Sequence, residues 1–134
     1  MATFNKFNSF VEALSEKAHN LGSDTLTIAL TNTVPVATNT VLANITQVSY
    51  TYCSTRALTV SASSQTSGTY SLVVSDLTLT ATGGSIGPFR YIVIYNDTAS
   101  NDELIGWFDH GSEVTVTAGY TFLLDFGASV LTLV

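Results

Sequence analysis

The residues of this 134-residue chain whose types could do chemistry are two histidines, His19 and His110, one cysteine, Cys53, and the acidic group Asp97, Asp102, Glu103 and Asp109. Nucleophilic hydrolysis needs a serine or cysteine activated by a histidine that a carboxylate orients. No G-x-S-x-G elbow occurs, and His19 falls in a helical stretch, so neither histidine is paired that way. The acidic group offers oxygen ligands for calcium, but its spacing matches no calcium loop and reads as solvated turn residues. Two His and one Cys without paired spacing are too few nitrogen and sulfur donors for a transition-metal site. Gly83-Gly84-Ser85-Ile86-Gly87 has the glycines of a phosphate loop without its lysine or its following helix, so it reads as a wide turn ahead of Pro88. The expectation is a chain with no catalytic residue, no metal and no cofactor, and hence not an enzyme.

Other residues bear on binding rather than reaction. Arg90 lies in the most apolar stretch of a chain with four basic residues. An unpaired buried guanidinium is costly, so Arg90 should meet a carboxylate or carbonyls of its own chain, or anchor a carboxylate of a partner. Trp107 and Phe108, with the tyrosines, read either as core or as a platform on which sugar rings could stack. Asn44-Ile45-Thr46 and Asn96-Asp97-Thr98 match the glycosylation sequon, which acts only in secreted eukaryotic proteins, and no export signal opens the chain.

Elements must position these residues, and composition bounds what the elements are. Four Lys plus Arg against ten Asp plus Glu give a net charge of −6, which repels phosphate backbones and anionic lipid. Direct nucleic-acid and membrane partners are therefore not expected. With 46% hydrophobic and 10% charged residues, and Ser plus Thr near a quarter, the chain suits many short strands with hydroxyl-rich outer faces. A lone cysteine cannot close an internal disulfide, so Cys53 reads as a small buried hydrophobe.

The length suits one domain, 1–134, with an amphipathic helix within 1–22 and a β domain over 23–134. Phe4, Phe7, Val11, Leu14, Ala18 and Leu21 recur at steps of three and four, predicting a helix from about Phe4 to Leu21 with Thr3 as N-cap and Gly22 as C′ residue. Such a stripe would cover a sheet face or pack on a second helix. Leu26, Ile28 and Leu30 alternate with polar neighbours as a half-buried strand. Residues 32–44, with Pro35 central, read as an extended arm or long loop rather than a linker between domains. Ile45 to Tyr52 and Ala57 to Ala62 read as strands, Ser63 to Gly68 as a turn, and Tyr70 to Val74 and Leu77 to Thr80 as strands. Phe89 to Tyr95 reads as a central strand buried on both faces. Leu104 to Phe108 leads through a tight Asp109-His110-Gly111-Ser112 connection into Val114 and Val116, and two strands close the chain around Phe122 and after Gly127. Eight or nine short strands predict a mainly β fold with antiparallel sheets, either a sandwich of jelly-roll type or a small barrel, carrying an N-terminal α-helix.

Two stretches carry a family likeness. One runs from Phe4-Asn5-Lys6-Phe7 through His19-Asn20-Leu21-Gly22 into the strand TLTIALTNTVP; the other is GGSIGPFRYIVIYNDT from Gly83, followed by LIGWFDHGSEVTVTAGYTFLLDF from Leu104. Together they cover well over half the chain, and they resemble the decoration, or cement, proteins of tailed-bacteriophage heads. Similar small proteins also serve as head-fibre bases and tail components. The resemblance implies a structural virion protein on the outer capsid surface that binds the major capsid protein lattice, braces it, and self-associates as a homodimer or homotrimer. Phe4, Phe7, Val11 and Leu14 on the helix stripe and Val34, Pro35 and Val36 on the arm are the expected partner-binding residues. The alternative is a carbohydrate- or receptor-binding module of a fibre or tail.

Overall fold

The computed structural model of the chain describes residues 2–134. In chain order its elements are β1 (Asn5–Lys6), α1 (Asn8–Ser15), β2 (Leu26–Thr31), a 3-10 turn (Leu42–Asn44), β3 (Val60–Thr66), β4 (Thr69–Val74), β5 (Leu77–Thr80), β6 (Ile86–Asn96), β7 (Leu104–Val116), β8 (Thr121–Leu124) and β9 (Leu131–Leu133). Strand makes up 46% of the chain and helix 8%, so the fold is mainly β and sandwich-like. Every ladder is antiparallel, in a four-stranded sheet of order β1-β7-β6-β2, a three-stranded sheet β3-β4-β9 and a two-stranded sheet β5-β8.

Alternation explains the layers. Leu26, Ile28 and Leu30 of β2 and Ile92 and Ile94 of β6 face the larger core, where Leu72, Val74, Leu79, Leu124 and Leu131 of the smaller sheets meet them. Ala29, Val93 and Tyr95 face the opposite way, into a second core with Phe7, Ile45 and Leu104. The four-stranded sheet is thus covered on both faces. β6 is the central strand its apolar run predicts. β2 is buried at all six positions rather than half-buried, because Phe7, ahead of α1, and the loop residues Leu42 and Ile45 pack on the side that carries Ala29.

The helix is half the predicted length. Phe4 to Lys6 do not join it, because Asn5 and Lys6 pair with Trp107 and Gly106 of β7. Phe7 becomes the N-cap in an extended conformation with no side-chain cap. At the other end Lys17 adopts φ +72°, Lys17 N donates to Leu14 O, and Ala18 N donates to Ala13 O. That is a Schellman closure with lysine in the left-handed position glycine usually takes. Phe10, outside the predicted stripe, is buried, while Val11 is half exposed. Phe10 and Leu14 turn toward the larger core, while Phe7, just ahead of the helix, enters the second.

The segment 32–44 is no free arm. Asn8 N donates to Ala37 O at 2.9 Å, Leu104 N to Thr40 O at 3.0 Å and Leu42 N to Asp102 O at 3.0 Å. Asn44 Oδ1 accepts from Thr40 N and Val41 N. Residues 45–58 do not form a strand either, but they seal the open edge of β2. Val48 N donates to Leu30 O, Ile28 N to Arg56 O, Leu58 N to Leu26 O, and Leu30 N to the Tyr50 hydroxyl. The Arg56 guanidinium stacks on the Tyr50 ring, 3.6 Å from its centroid. Covering an edge this way blocks unwanted strand addition. β3 starts at Val60 and runs on to Thr66, so only Ser67 and Gly68 turn. Asp109 to Ser112 form an excursion within one long β7 and do not connect two strands.

Candidate interaction surface

The seven residues expected to meet a partner are divided by the fold. Phe7 is fully buried, with its ring centroid 4.6 Å from that of Trp107. Pro35 is buried as well. Phe4 is half-buried, lies across Gly106 and meets the Phe108 ring edge-on at 5.7 Å. Leu14 is half-buried beside the larger core. Phe7 and Pro35 are therefore closed to a partner, while Phe4 and Leu14 are only partly so. Val11, Val34 and Val36 remain, 50%, 58% and 54% exposed.

Backbone bonds set the loop that carries Val34 and Val36 against the start of the helix that carries Val11. Phe7 supplies no side-chain cap, and the first helical N–H, that of Asn8, is satisfied by Ala37 O. The loop therefore docks against the helix start, with Val36 beside that hydrogen bond and Val11 one turn along the helix. Val36 and Asn39 lock each other: Val36 N donates to Asn39 Oδ1 at 2.9 Å and Asn39 N to Val36 O at 2.8 Å. The loop's entry is tied to β7 by the bond from Asn32 Nδ2 to Glu113 Oε1.

The residues read as chemical candidates sit elsewhere and in separate places: Asp109 lies with Arg90 and His110, and Asp97, Asp102 and Glu103 lie together near His19. Arg90 meets Asp109 with two bonds, Nε to Oδ1 at 2.8 Å and an outer nitrogen to Oδ2 at 3.0 Å, at a surface where both side chains are over a third exposed. This intrachain pair takes the carboxylate Arg90 needs. The guanidinium and the Gly111 N–H hold the Asp109 carboxyl below its usual range. His110 is exposed, its Nδ1 3.3 Å from Ser112 O and its ring edge-on to Phe122. It borders an apolar cavity of about 120 Å³ between β7 and β8 whose one carboxylate, Asp125, accepts the Gly127 N–H. Burial pushes the partly buried Cys53 thiol up. Asp97 and Glu103 crowd Asp102, and burial with their charge raises its carboxyl. Among the described residues, no three His, Cys, Asp or Glu side chains are placed to hold a metal, and no helix is long and apolar enough to cross a membrane.

Two features escaped the sequence reading. His19 does not sit in the last helical turn but beyond it, buried against Asn96. Tyr52, 46% exposed, lies flat on the Gly83-Gly84 turn, where a Cβ on Gly84 would come 2.3 Å from its ring. The glycine pair was visible, but nothing local marked the ring it accommodates. Comparison of the chain with family models, with curated proteins and with solved structures gives no match.

Proposed function

We propose that the chain is a structural virion protein that binds the outer surface of a phage capsid and stabilises the major capsid protein lattice, through contact alone. The observation that carries the assembly part is the trio Val11, Val34 and Val36, exposed where the loop caps the helix. An apolar patch that the fold does not need is the usual mark of a partner surface. The capsid as that partner rests on the resemblance of the two sequence stretches. Affinity per copy need not be high, because a lattice links many contacts. Self-association as a homodimer or homotrimer fits the same patch, since small subunits gain buried area by symmetric pairing.

Removing the N-terminal residues up to Gly22 would be an unsuitable test, because β1, Phe7 and Phe10 belong to the fold. The triple change Val11→Ser, Val34→Ser, Val36→Ser is the suitable one. We expect it to leave the melting temperature nearly unchanged while abolishing cosedimentation with capsids that lack this protein, and to shift sedimentation toward monomer. Retained capsid binding by the folded triple variant, or absence of the chain from purified virions by mass spectrometry, would refute the reading.

A carbohydrate- or receptor-binding module is the second reading, and one observation favours it. Tyr52 and Tyr120, 46% and 68% exposed, flank the same segment, since Thr82 N donates to Tyr52 O and Ala81 N to Tyr120 O. Trp107 is less suited, because it packs on Phe7. Glycan-array binding lost in Tyr52→Ala and Tyr120→Ala would select this reading.

A further inference from the structure

We propose that the contact between His19 and Asn96 is an acid-released latch on the 97–102 loop, in which protonation of the imidazole breaks the Asn96 node that holds the loop closed. The node is fully specified. Asn96 is buried, its Oδ1 accepts from Thr98 N at 2.9 Å and Ala99 N at 3.1 Å, and its Nδ2 donates to Asp24 Oδ2 at 2.7 Å. Two backbone N–H groups require an oxygen and a carboxylate requires an N–H, so the amide has one orientation. The same Nδ2 lies 3.0 Å from His19 Nδ1. Nδ1 must therefore accept, which makes the imidazole neutral with its proton on Nε2.

Protonation sets a second N–H against the Asn96 donors. Turning the amide over gives no relief, because its oxygen would then face the Asp24 carboxylate and its NH₂ the Thr98 and Ala99 N–H groups. The imidazolium has somewhere else to turn. His19 Nε2 is buried without a partner, and so is Glu103 Oε2, a donor and an acceptor that suit each other. Glu103 adjoins the node through its backbone, whose carbonyl accepts Asn96 N at 3.0 Å. Acid thus drives the His19 Nδ1–H and the Asn96 NH₂ apart, turns His19 toward Glu103, and by displacing the Asn96 side chain weakens the bonds its Oδ1 accepts from Thr98 N and Ala99 N.

The groups facing His19 decide where this happens. Burial opposes the charged ring, while Glu103 and Asp24 favour it; the Phe10 ring lies 5.4 Å away and Lys17 lines the same groove. Burial is the largest effect and lowers the imidazole from its ordinary 6.5. The unfolded chain then binds the proton more readily, so the stability from the neutral ring is complete above 6.5 and is lost as pH falls below it, through the depressed folded value. None of this depends on the capsid reading.

The test is an NMR titration of the whole chain between pH 7 and 4. The His19 ring proton should titrate below 6.5. The Thr98 and Ala99 amide resonances should move with the same midpoint, and their exchange protection should fall by about tenfold or more. In His19→Gln those two amides should show no midpoint at that pH. Glu103→Gln should move the His19 midpoint further down while leaving the amide response in step with it. Thr98 and Ala99 resonances that stay constant while His19 titrates, or that keep their midpoint in His19→Gln, would overturn the proposal. If His19→Gln does not fold, the coincidence or separation of midpoints in the unaltered chain decides.

Discussion

Gly106→Ala tests how β1 is held against β7, and with it how α1 reaches the sheet. A methyl on Gly106 would sit 2.2 Å from Phe4 Cε2, 2.3 Å from Cζ and 2.7 Å from Asn5 O. Carbon atoms at rest keep about 3.5–4.0 Å, so the ring would have to retreat by more than about 1 Å. The Phe108 ring, edge-on at 5.7 Å, stands beside it. Asn5 O is backbone, fixed by the pairing of Asn5 with Trp107 and of Lys6 with Gly106, so β1 itself must shift. Forced overpacking costs about 1–3 kcal/mol, and the middle of that range fits because β1 is short and at an edge. Unfolding entropy of about 2.1 cal/mol/K per residue makes about 2 kcal/mol equal to a fall of about 7 °C in Tm for a chain of this length. Thermal unfolding followed by circular dichroism measures it, and chemical denaturation at 25 °C checks it. Phe4→Ala combined with Gly106→Ala should cost less than the sum of the two, because truncating the ring removes the nearer clash and leaves only the one with Asn5 O. A Gly106→Ala protein melting within about 1 °C of the parent, or strictly additive single changes, would refute the reasoning.

Lys17→Gly should stabilise the chain by about 0.5–1 kcal/mol, because a non-glycine residue in the left-handed region is strained and glycine relieves it at some entropic cost. A Tm rise of about 2–4 °C is expected, with Lys17→Ala giving no gain; equal effects of the two would show that φ +72° is not the cause. Arg90→Met should lower Tm modestly at pH 7 and less in 1 M salt, as an exposed pair is screened. Asp109 has a depressed folded value, so its contribution is present above the ordinary 3.8 and is lost as pH falls through the folded value. The Tm gap between Arg90→Met and the parent should therefore close in acid, and a gap that persists there would exclude the ion pair as its source.

Strand periodicity predicted most of the fold because it depends on neighbours two residues apart. Phe89 to Tyr95 reads as central and doubly buried from its own residues, and it is. The helix failed at both ends for reasons that lie far along the chain. Phe4 to Lys6 suit a helical stripe, yet the β7 edge beside Gly106, a hundred residues away, offers them a ladder and a bare backbone on which Phe4 can lie. Local propensity has no access to that competition. The same holds for Ile45 to Tyr52, whose apolar spacing resembles a strand but which meets the β2 edge only through Val48 N and the Tyr50 hydroxyl. Of the proposed interaction surface, the apolar residues were visible and their exposure was not. Val11 and Phe10 are adjacent on the helix, and only the position of the sheet decides which turns inward. The His19 node could be seen only as separate polar residues, because Asp24, Asn96 and Glu103 reach His19 by folding.

The geometry of the loop bears on why the valines are there. In an extended stretch, neighbours point to opposite sides, so turning Pro35 inward turns Val34 and Val36 outward. The fold gains from the buried proline and from Ala37 O, which supplies the helix with the acceptor that Phe7 cannot. It gains nothing from apolar side chains at 34 and 36, where serine or threonine, so abundant elsewhere in the chain, would serve the same backbone. A single exposed valine needs no explanation on a protein surface. Val34 and Val36 stand on a loop that a main-chain bond ties to the helix start, so their backbone would lose little entropy on contact. Phe7, Phe10 and Leu14 beside them are held by the cores, so the proposed partner surface rests on the valines that the interior does not use.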